Sequence, residues 1–258
     1  MRQGGWRGGG QQDAAIDVPC LWVDEFGKPL ALRCADAPAF AEAHARFVEQ
    51  RIGRLERQDA LRVVRIMPLA VATGSTREAI RQQLAGEVRD TCLAMHHAHA
   101  EADAVSGRRA SFGLVRMANI DPILDVARAL HGFTVPDGIR IHLCVYHARF
   151  PLAQRSAIEQ LLDAVFDRRT PAAVWRHPSV RAAIDAAPDC EHIFVALCSP
   201  VCEVGRDWDA DWAVAEPSSM RSLIQLAGRV QRHRRRSPAS PNIGVFDTNL
   251  KALEEAGN

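Results

Sequence analysis

Apolar positions along the chain fall into two regimes. Over the first hundred residues they are sparse and helically spaced. Ala37–Leu55 places Ala37, Ala41, Ala45 and Val48 near one face, the repeat of an amphipathic helix. Residues 21–23 read as a short strand. The run Thr73-Gly74-Ser75-Thr76 then breaks the pattern, and Ser75 or Thr76 offers a capping oxygen for a helix over Arg77–His99. Gly107 closes that segment. From Ser111 a different rhythm begins. Short apolar runs at 112–117, 139–145, 192–197 and 212–215 alternate with helically spaced stretches at 121–130, 152–166 and 219–227. Strands alternating with helices predict an α/β fold with a parallel sheet and right-handed crossovers. Ser237-Pro-Ala-Ser-Pro241 reads as a linker by composition, and no internal repeat is visible.

Composition narrows this only a little. The chain has 258 residues, 47% hydrophobic, enough for the core of one domain or slightly more. A formal net charge of +1 gives no global basic field, so any case for nucleic acid rests on local clusters. Lys28 and Lys251 are the only lysines, and an arginine excess of that scale gives a scattered arginine little weight. Seven cysteines form no CxxC pair, which suits reduced thiols in a cytoplasmic protein. No apolar run approaches a membrane span, and residues 1–12 are not a signal-peptide core.

Three segments carry candidate chemistry. The most specific is Gln225-Leu-Ala-Gly228-Arg229-Val-Gln-Arg232-His233-Arg234, which comes after the strand at 212–215 and a Pro217-Ser218-Ser219 helix start. At i, i+4 and i+7, Gln225, Arg229 and Arg232 fall on one face of a helix or its C-terminal extension, presenting an amide and two guanidinium groups together. Gly228 allows a turn or a close approach. Planar guanidinium groups suit the charge that spreads over a γ-phosphate during phosphoryl transfer. Arg234, Arg235 and Arg236 read as backbone contacts or plain surface charge. The second segment runs from Val195 to Asp207. Its strand ends in Ser199, a capping residue, with Pro200 at the first helical position. A helix start with free amides suits a nucleic-acid phosphate, and Gly205 and Asp207 fall in a loop able to reach a ribose. The third segment, from His142 through Phe150, places His147 and Arg149 at the carboxyl edge of the sheet, where α/β proteins bind ligands, with Arg155 in the helix beyond.

Taken in order, Gly113-Leu-Val-Arg-Met-Ala-Asn119-Ile-Asp121-Pro122, Tyr146-His147-Ala-Arg149-Phe150, Glu203-Val-Gly205-Arg206-Asp207 and Gln225 to Arg234 resemble the CRISPR-associated helicase–nuclease of type I-F systems, from about residue 22 to 253. The resemblance implies a second RecA-like helicase lobe over 75–236. A lead-in segment between motor lobes would occupy 1–74, and 237–258 would be a linker and the start of a further region. It assigns Gln225, Arg229 and Arg232 to motif VI, with Arg232 as the arginine finger. It assigns Ser199, Gly205 and Asp207 to motif V, and the stretch from His147 to Arg155 to the motif IV region. By the same resemblance Arg232 and Arg229 are catalytic. Gln225, Gly205 and Asp207 bind nucleotide, and Ser199, His147, Arg149 and Arg155 bind DNA. The family usually has Thr-Gln where Ser199-Pro200 stands, so one amide side chain is missing from that contact.

A motor also needs a phosphate-cradling loop, and the sequence has no GxxxxGK[ST]. Gly27-Lys28-Pro29 lacks the hydroxyl and the upstream glycine, and Asp24-Glu25 after the first strand reads as a chance imitation of an acidic box. His96-His97-Ala-His99 reads as an exposed helical histidine cluster, not a metal site. The expectation is therefore an α/β motor lobe with negligible ATPase activity alone. ATP and Mg would bind only in a complete two-lobed enzyme. Its partners would be single-stranded DNA, a first helicase lobe with a nuclease domain, and a CRISPR surveillance complex, with no membrane. The competing readings are a non-enzymatic nucleic-acid-binding or interaction module and a histidine-metal enzyme at His96 to His99.

Overall fold

A computed structural model describes residues 20–23, 29–72, 74–132 and 136–256. The chain divides into two compact units, Met1–Asp59 and Ala60–Asn258.

In the first unit, β1 (Cys20–Val23) pairs antiparallel with β2 (Pro29–Leu32), Leu21 opposite Ala31. The helix α1 (Ala37–Leu55) starts where Asp36 accepts the Ala39 amide at 2.8 Å, with Pro38 in its first turn. Its bounds are those the periodicity predicts, but its packed face is another one. Ala37, Ala41 and Ala45 are exposed. The face at Phe40, His44 and Phe47 meets Trp22 instead, each ring centroid within 5.5 Å of the indole. Aromatic area outweighs alanine methyls in choosing what a helix covers. The acidic pair Asp24-Glu25 and Gly27-Lys28 lie outside the described residues.

The second unit runs β3 (Val64–Met67), α2 (Arg77–His99), β4 (Glu101–Ala102), β5 (Arg109–Arg116), α3 (Asp121–Gly132), β6 (Ile139–Tyr146), α4 (Leu152–Val165), α5 (Pro178–Asp185), β7 (Glu191–Cys198), β8 (Trp212–Ala215), α6 (Met220–Ala227), β9 (Ile243–Phe246) and α7 (Leu250–Ala256). The sheet order is β3-β9-β8-β5-β7-β6, every pair parallel, with β4 added antiparallel to β5. This is the predicted RecA-like parallel sheet, and it is wider than 75–236. Both β3 and β9 belong to it, and α7 packs on the same unit against α2. Unlike the wholly apolar β8, the four residues of β3 and β9 are interrupted by Arg65 and Gly244, which hides their apolar signal.

Helices cover both faces, so β8 and β9 bury every side chain and β5 all but Arg109 at its start. From β5, Phe112 and Leu114 point into a core with Leu162, Val180, Ala196, Ala213 and Leu226. Val115 points into the opposite core with Leu84, Val88, Val126, Val195 and Leu253. At Gly113 the Trp212 ring takes the space a side chain would fill, since a Cβ there would lie 2.1 Å from its ring carbons. The sheet's two ends therefore carry the polar chemistry. Arg116, Cys198, Tyr146 and Ala215 end in register at the carboxyl end.

Candidate nucleotide and nucleic-acid sites

The Ser219 hydroxyl accepts the Ser222 amide at 3.2 Å and starts α6, which buries Leu226 and leaves Met220 and Ile224 exposed. The helix ends at Ala227, so the expected helical face of Gln225, Arg229 and Arg232 does not form. Gly228 keeps ordinary right-handed backbone (φ −62°) and supplies no special turn. Beyond it the chain makes a turn anchored to the loop before β8: the Ala210 amide donates to Arg229 O at 2.7 Å, and the Gln231 amide returns to Ala210 O at 3.1 Å. Arg229 reaches back, its Nη2 donating to the Glu203 carbonyl at 2.9 Å. Gln225 is half-buried and makes no side-chain hydrogen bond among the described residues.

Arg232 does meet Asp207, as an Nε to carboxylate hydrogen bond. His233 accepts the Arg168 amide at Nδ1 (3.2 Å), which puts its ring proton on Nε2, 3.2 Å from the same Asp207 oxygen. Arg232 and then His233 hold the Asp207 carboxyl below the usual carboxylate range. Gly205 stands two residues before it with φ +67°, a left-handed conformation that favours glycine. Sequence reasoning missed a further cation here. Arg62, just before β3, donates Nε to Ala227 O at 2.8 Å and Val230 O at 2.9 Å, satisfying the last carbonyl of α6 and one in the turn beyond it. Its pKa is lowered by burial, and further by the charges of Arg232 and Arg235.

Arg234 overturns its reading as surface charge. Its side chain is 1% exposed and forks onto Asp209, Nε to Oδ2 at 2.9 Å and Nη2 to Oδ1 at 3.1 Å. Its Nη1 also meets Asp211 and Glu101. Beside it the fully buried Arg168 lies on the faces of Phe112 and Trp175 and donates to Glu101 at 3.2 Å. Burial of Arg168, Arg234, Asp209 and Asp211 is tolerable only because each has a partner, Glu101 at the half-exposed edge included. Arg235 and Arg236 remain exposed, Arg236 bonded to Glu101.

The carboxyl end of the sheet is more closed than the sequence implied. After β7 the expected helix is a single 3-10 turn, Pro200–Glu203. Ser199 is buried, its side chain caps nothing, and its amide donates to Tyr146 O at 3.1 Å. Glu203 turns inward to Arg116 Nε at 2.8 Å and to the Ser222 hydroxyl, while Arg116 Nη2 also donates to Ser222 at 3.0 Å. His147 comes directly after Tyr146 and so stands beside Ser199. It is buried, stacks on Phe150 at 4.2 Å and accepts the Arg149 amide, and burial then Arg149 lower its pKa. Arg149 is exposed and pairs with Asp121; Arg155 stays 3.6 Å from Glu159. Tyr146 donates to Glu159 at 2.7 Å, and Arg206 joins Glu159, Asp163 and the Tyr146 oxygen. These bonds pin the loop carrying Gly205 and Asp207 onto α4. The structure thus groups Arg229, Arg232 and Asp207 in one place and Ser199, His147 and Arg149 in another.

His96 is not exposed. It is fully buried, with Nδ1 2.9 Å from Ser111 Oγ and Nε2 2.9 Å from Glu191, a carboxylate 95 residues away in sequence. No group of three or more His, Cys, Asp or Glu able to hold a metal occurs among the described residues. No described helix is long and apolar enough to cross a membrane.

Residues 109–235 match the family described as CRISPR-associated nuclease/helicase Cas3, C-terminal. Two curated relatives, both described as CRISPR-associated nuclease/helicase Cas3 subtype I-F/YPEST, are similar over 95% of this chain. That of Pseudomonas aeruginosa is 42% identical over 247 residues, covering 23% of that protein. That of Pectobacterium atrosepticum is 40% identical over 248 residues, covering 22%. The crystal structure of T. fusca Cas3-ATP superimposes with a TM-score of 0.52 at 19% identity, over 92% of this chain and 23% of that one. The chain spans less than a quarter of the length of these relatives. Within it, the RecA-like region at 109–235 is the part that matches the C-terminal Cas3 nuclease/helicase family.

Proposed function

We propose that this chain acts as the second motor lobe of an ATP-dependent DNA helicase–nuclease in CRISPR antiviral defence. Arg232, with Arg229, is offered to an ATP held mainly by a first lobe. One observation carries this reading. Arg232 is held at Nε by Asp207 on a glycine-turned loop, while its side chain is 44% exposed and its terminal nitrogens have no partner among the described residues. Such a guanidinium is fixed yet still free to meet charge growing on a γ-phosphate. The residues fit the phosphate better than its metal, because the nearby carboxylates are all bonded to arginines. Mg²⁺ would take its ligands from the first lobe and the nucleotide. At the carboxyl end, Arg149 is the exposed candidate for a phosphate of single-stranded DNA, with Arg155 behind it and Ser199 and His147 shaping the edge. The surveillance complex and the nuclease domain are partners on this reading, and the chain alone turns over negligible ATP.

The test mixes this chain with a separately produced phosphate-loop lobe of a subtype I-F relative and measures ATP turnover with single-stranded DNA. Turnover should need both parts and fall about a thousandfold or more in Arg232→Ala, the scale of a lost arginine finger. Helicase-like turnover by this chain alone, abolished by the same substitution, would refute the half-site. Loss of only salt-sensitive DNA binding would favour a binding module.

A further inference from the structure

We infer that Asp209, together with Arg234, is a positioning clamp for Arg232; the inference rests on the role proposed for Arg232 toward ATP. The Asp209 carboxylate is fully buried and takes four hydrogen bonds from one short stretch of chain. Its Oδ1 accepts the Arg232 amide at 3.1 Å and Arg234 Nη2 at 3.1 Å. Its Oδ2 accepts the Arg234 amide at 3.1 Å and Arg234 Nε at 2.9 Å. Both amides flanking His233 therefore converge on one carboxylate, and the same residue's guanidinium forks onto it.

The backbone on either side shows what the clamp holds. Gln231 (φ 49°) and Arg235 (φ 50°) are the two non-glycine residues in the left-handed region among the described residues, and they bracket the clamped stretch. Side chains avoid that region unless surrounding bonds over-determine it. On one side Ala210 takes the Gln231 amide. On the other, Arg234 is anchored beyond Asp209 by Asp211, whose second oxygen holds the Phe112 amide of β5 at 2.7 Å, and by Glu101 of β4. The clamp thus ties the direction in which Arg232 leaves the chain to the central sheet. Asp209 touches no candidate ligand atom. Its role is to keep the guanidinium where small displacements would be costly for transition-state contact.

Amide exchange on the chain as it stands tests this. Asp209→Asn replaces one acceptor oxygen with a donor and should speed exchange at Arg232 and Arg234 by about tenfold or more. Amides of Leu114 and Val195 in the central strands should be unchanged. Asp103→Asn is the control for mere stability, because the buried Asp103 accepts the Val105 and Ser106 amides, pairs with Arg181 and touches no residue of this stretch. It should leave exchange at Arg232 unchanged. If Asp209→Asn does not fold, Arg234→Lys, which keeps the charge and gives up the fork, replaces it. In the two-part turnover assay Asp209→Asn should lower kcat with KM for ATP little moved, and should add nothing in an Arg232→Ala background. Unchanged exchange at both amides in a folded variant overturns the clamp, as does a turnover loss that persists in full without Arg232. If Arg232→Ala leaves turnover intact, the ATP reading falls while the exchange result still decides the clamp.

Discussion

At the carboxyl end of the sheet, Arg116 and Glu203 are sealed, 0% and 5% exposed, and close on each other and on Ser222. At the amino end the same chemistry is graded. Arg168 and Arg234 are buried against Asp209, Asp211 and Glu101, but the next ion pair outward, Arg232 with Asp207, is about half exposed. A sealed pair holds a fold in one arrangement and leaves no charge for a ligand. A graded set uses its buried members to fix a cation that still faces water. Buried and exposed arginines thus differ by their partners and their access to water, a division that arginine content alone does not make.

The sharpest way to break this contrast is Arg116→Met. It strands Glu203 in the interior and should cost about 3–5 kcal/mol of stability in urea titration. Adding Glu203→Gln should recover part of that loss; a cost below about 1 kcal/mol would mean the carboxyl end is not sealed. A smaller effect is expected for Arg234→Gln, about 2–3 kcal/mol, because Arg168 remains 3.5 Å from Asp211 to share the uncovered charge. Equal costs at the two ends would erase the distinction. The smallest effect is a pH slope. His142 lies 2.9 Å from His192, and burial, then the charges of His192 and Arg140, push its pKa down to about 4. The unfolded chain then binds the proton more readily, so stability is full above about pH 6.5 and falls as pH drops toward 4. His142→Gln should flatten urea midpoints across that window, by an amount on the order of 1 kcal/mol at this half-buried position. An undiminished slope in this variant would place the titration at other buried histidines, such as His147 and His192.

The larger elements were legible because their signals are local. The Thr76 cap and the periodic run behind it gave α2 its bounds, and apolar strings gave β5 and β7. The candidate site was legible only as a set of arginines. Arg229 and Arg232 were expected on one helical face, but α6 stops at Ala227 and a turn brings Arg232 to Asp207 instead. Asp209, Glu101 and Arg168 could not be matched to Arg234, since their partnership depends on a parallel sheet joining distant stretches. His96 failed for the same reason, because Glu191 approaches it only through β7. The equally short β8 is legible because all four of its residues are apolar, whereas Arg65 and Gly244 interrupt β3 and β9.

The contacts of Arg62 and Asn242 carry a consequence for dissecting the molecule. Arg62 closes the last carbonyl of α6 and that of Val230 beyond it, and Asn242 ties the start of β9 to Val63 and Leu61 through its side chain. A shortened chain bounded by the recognisable motifs, 75–236, would keep every residue of the sequence signature. It would also discard two strands of the sheet and the guanidinium beneath the arginine turn. The borders of the signature and the borders of the folding unit differ, and a genetic screen or complementation experiment should be cut along the second.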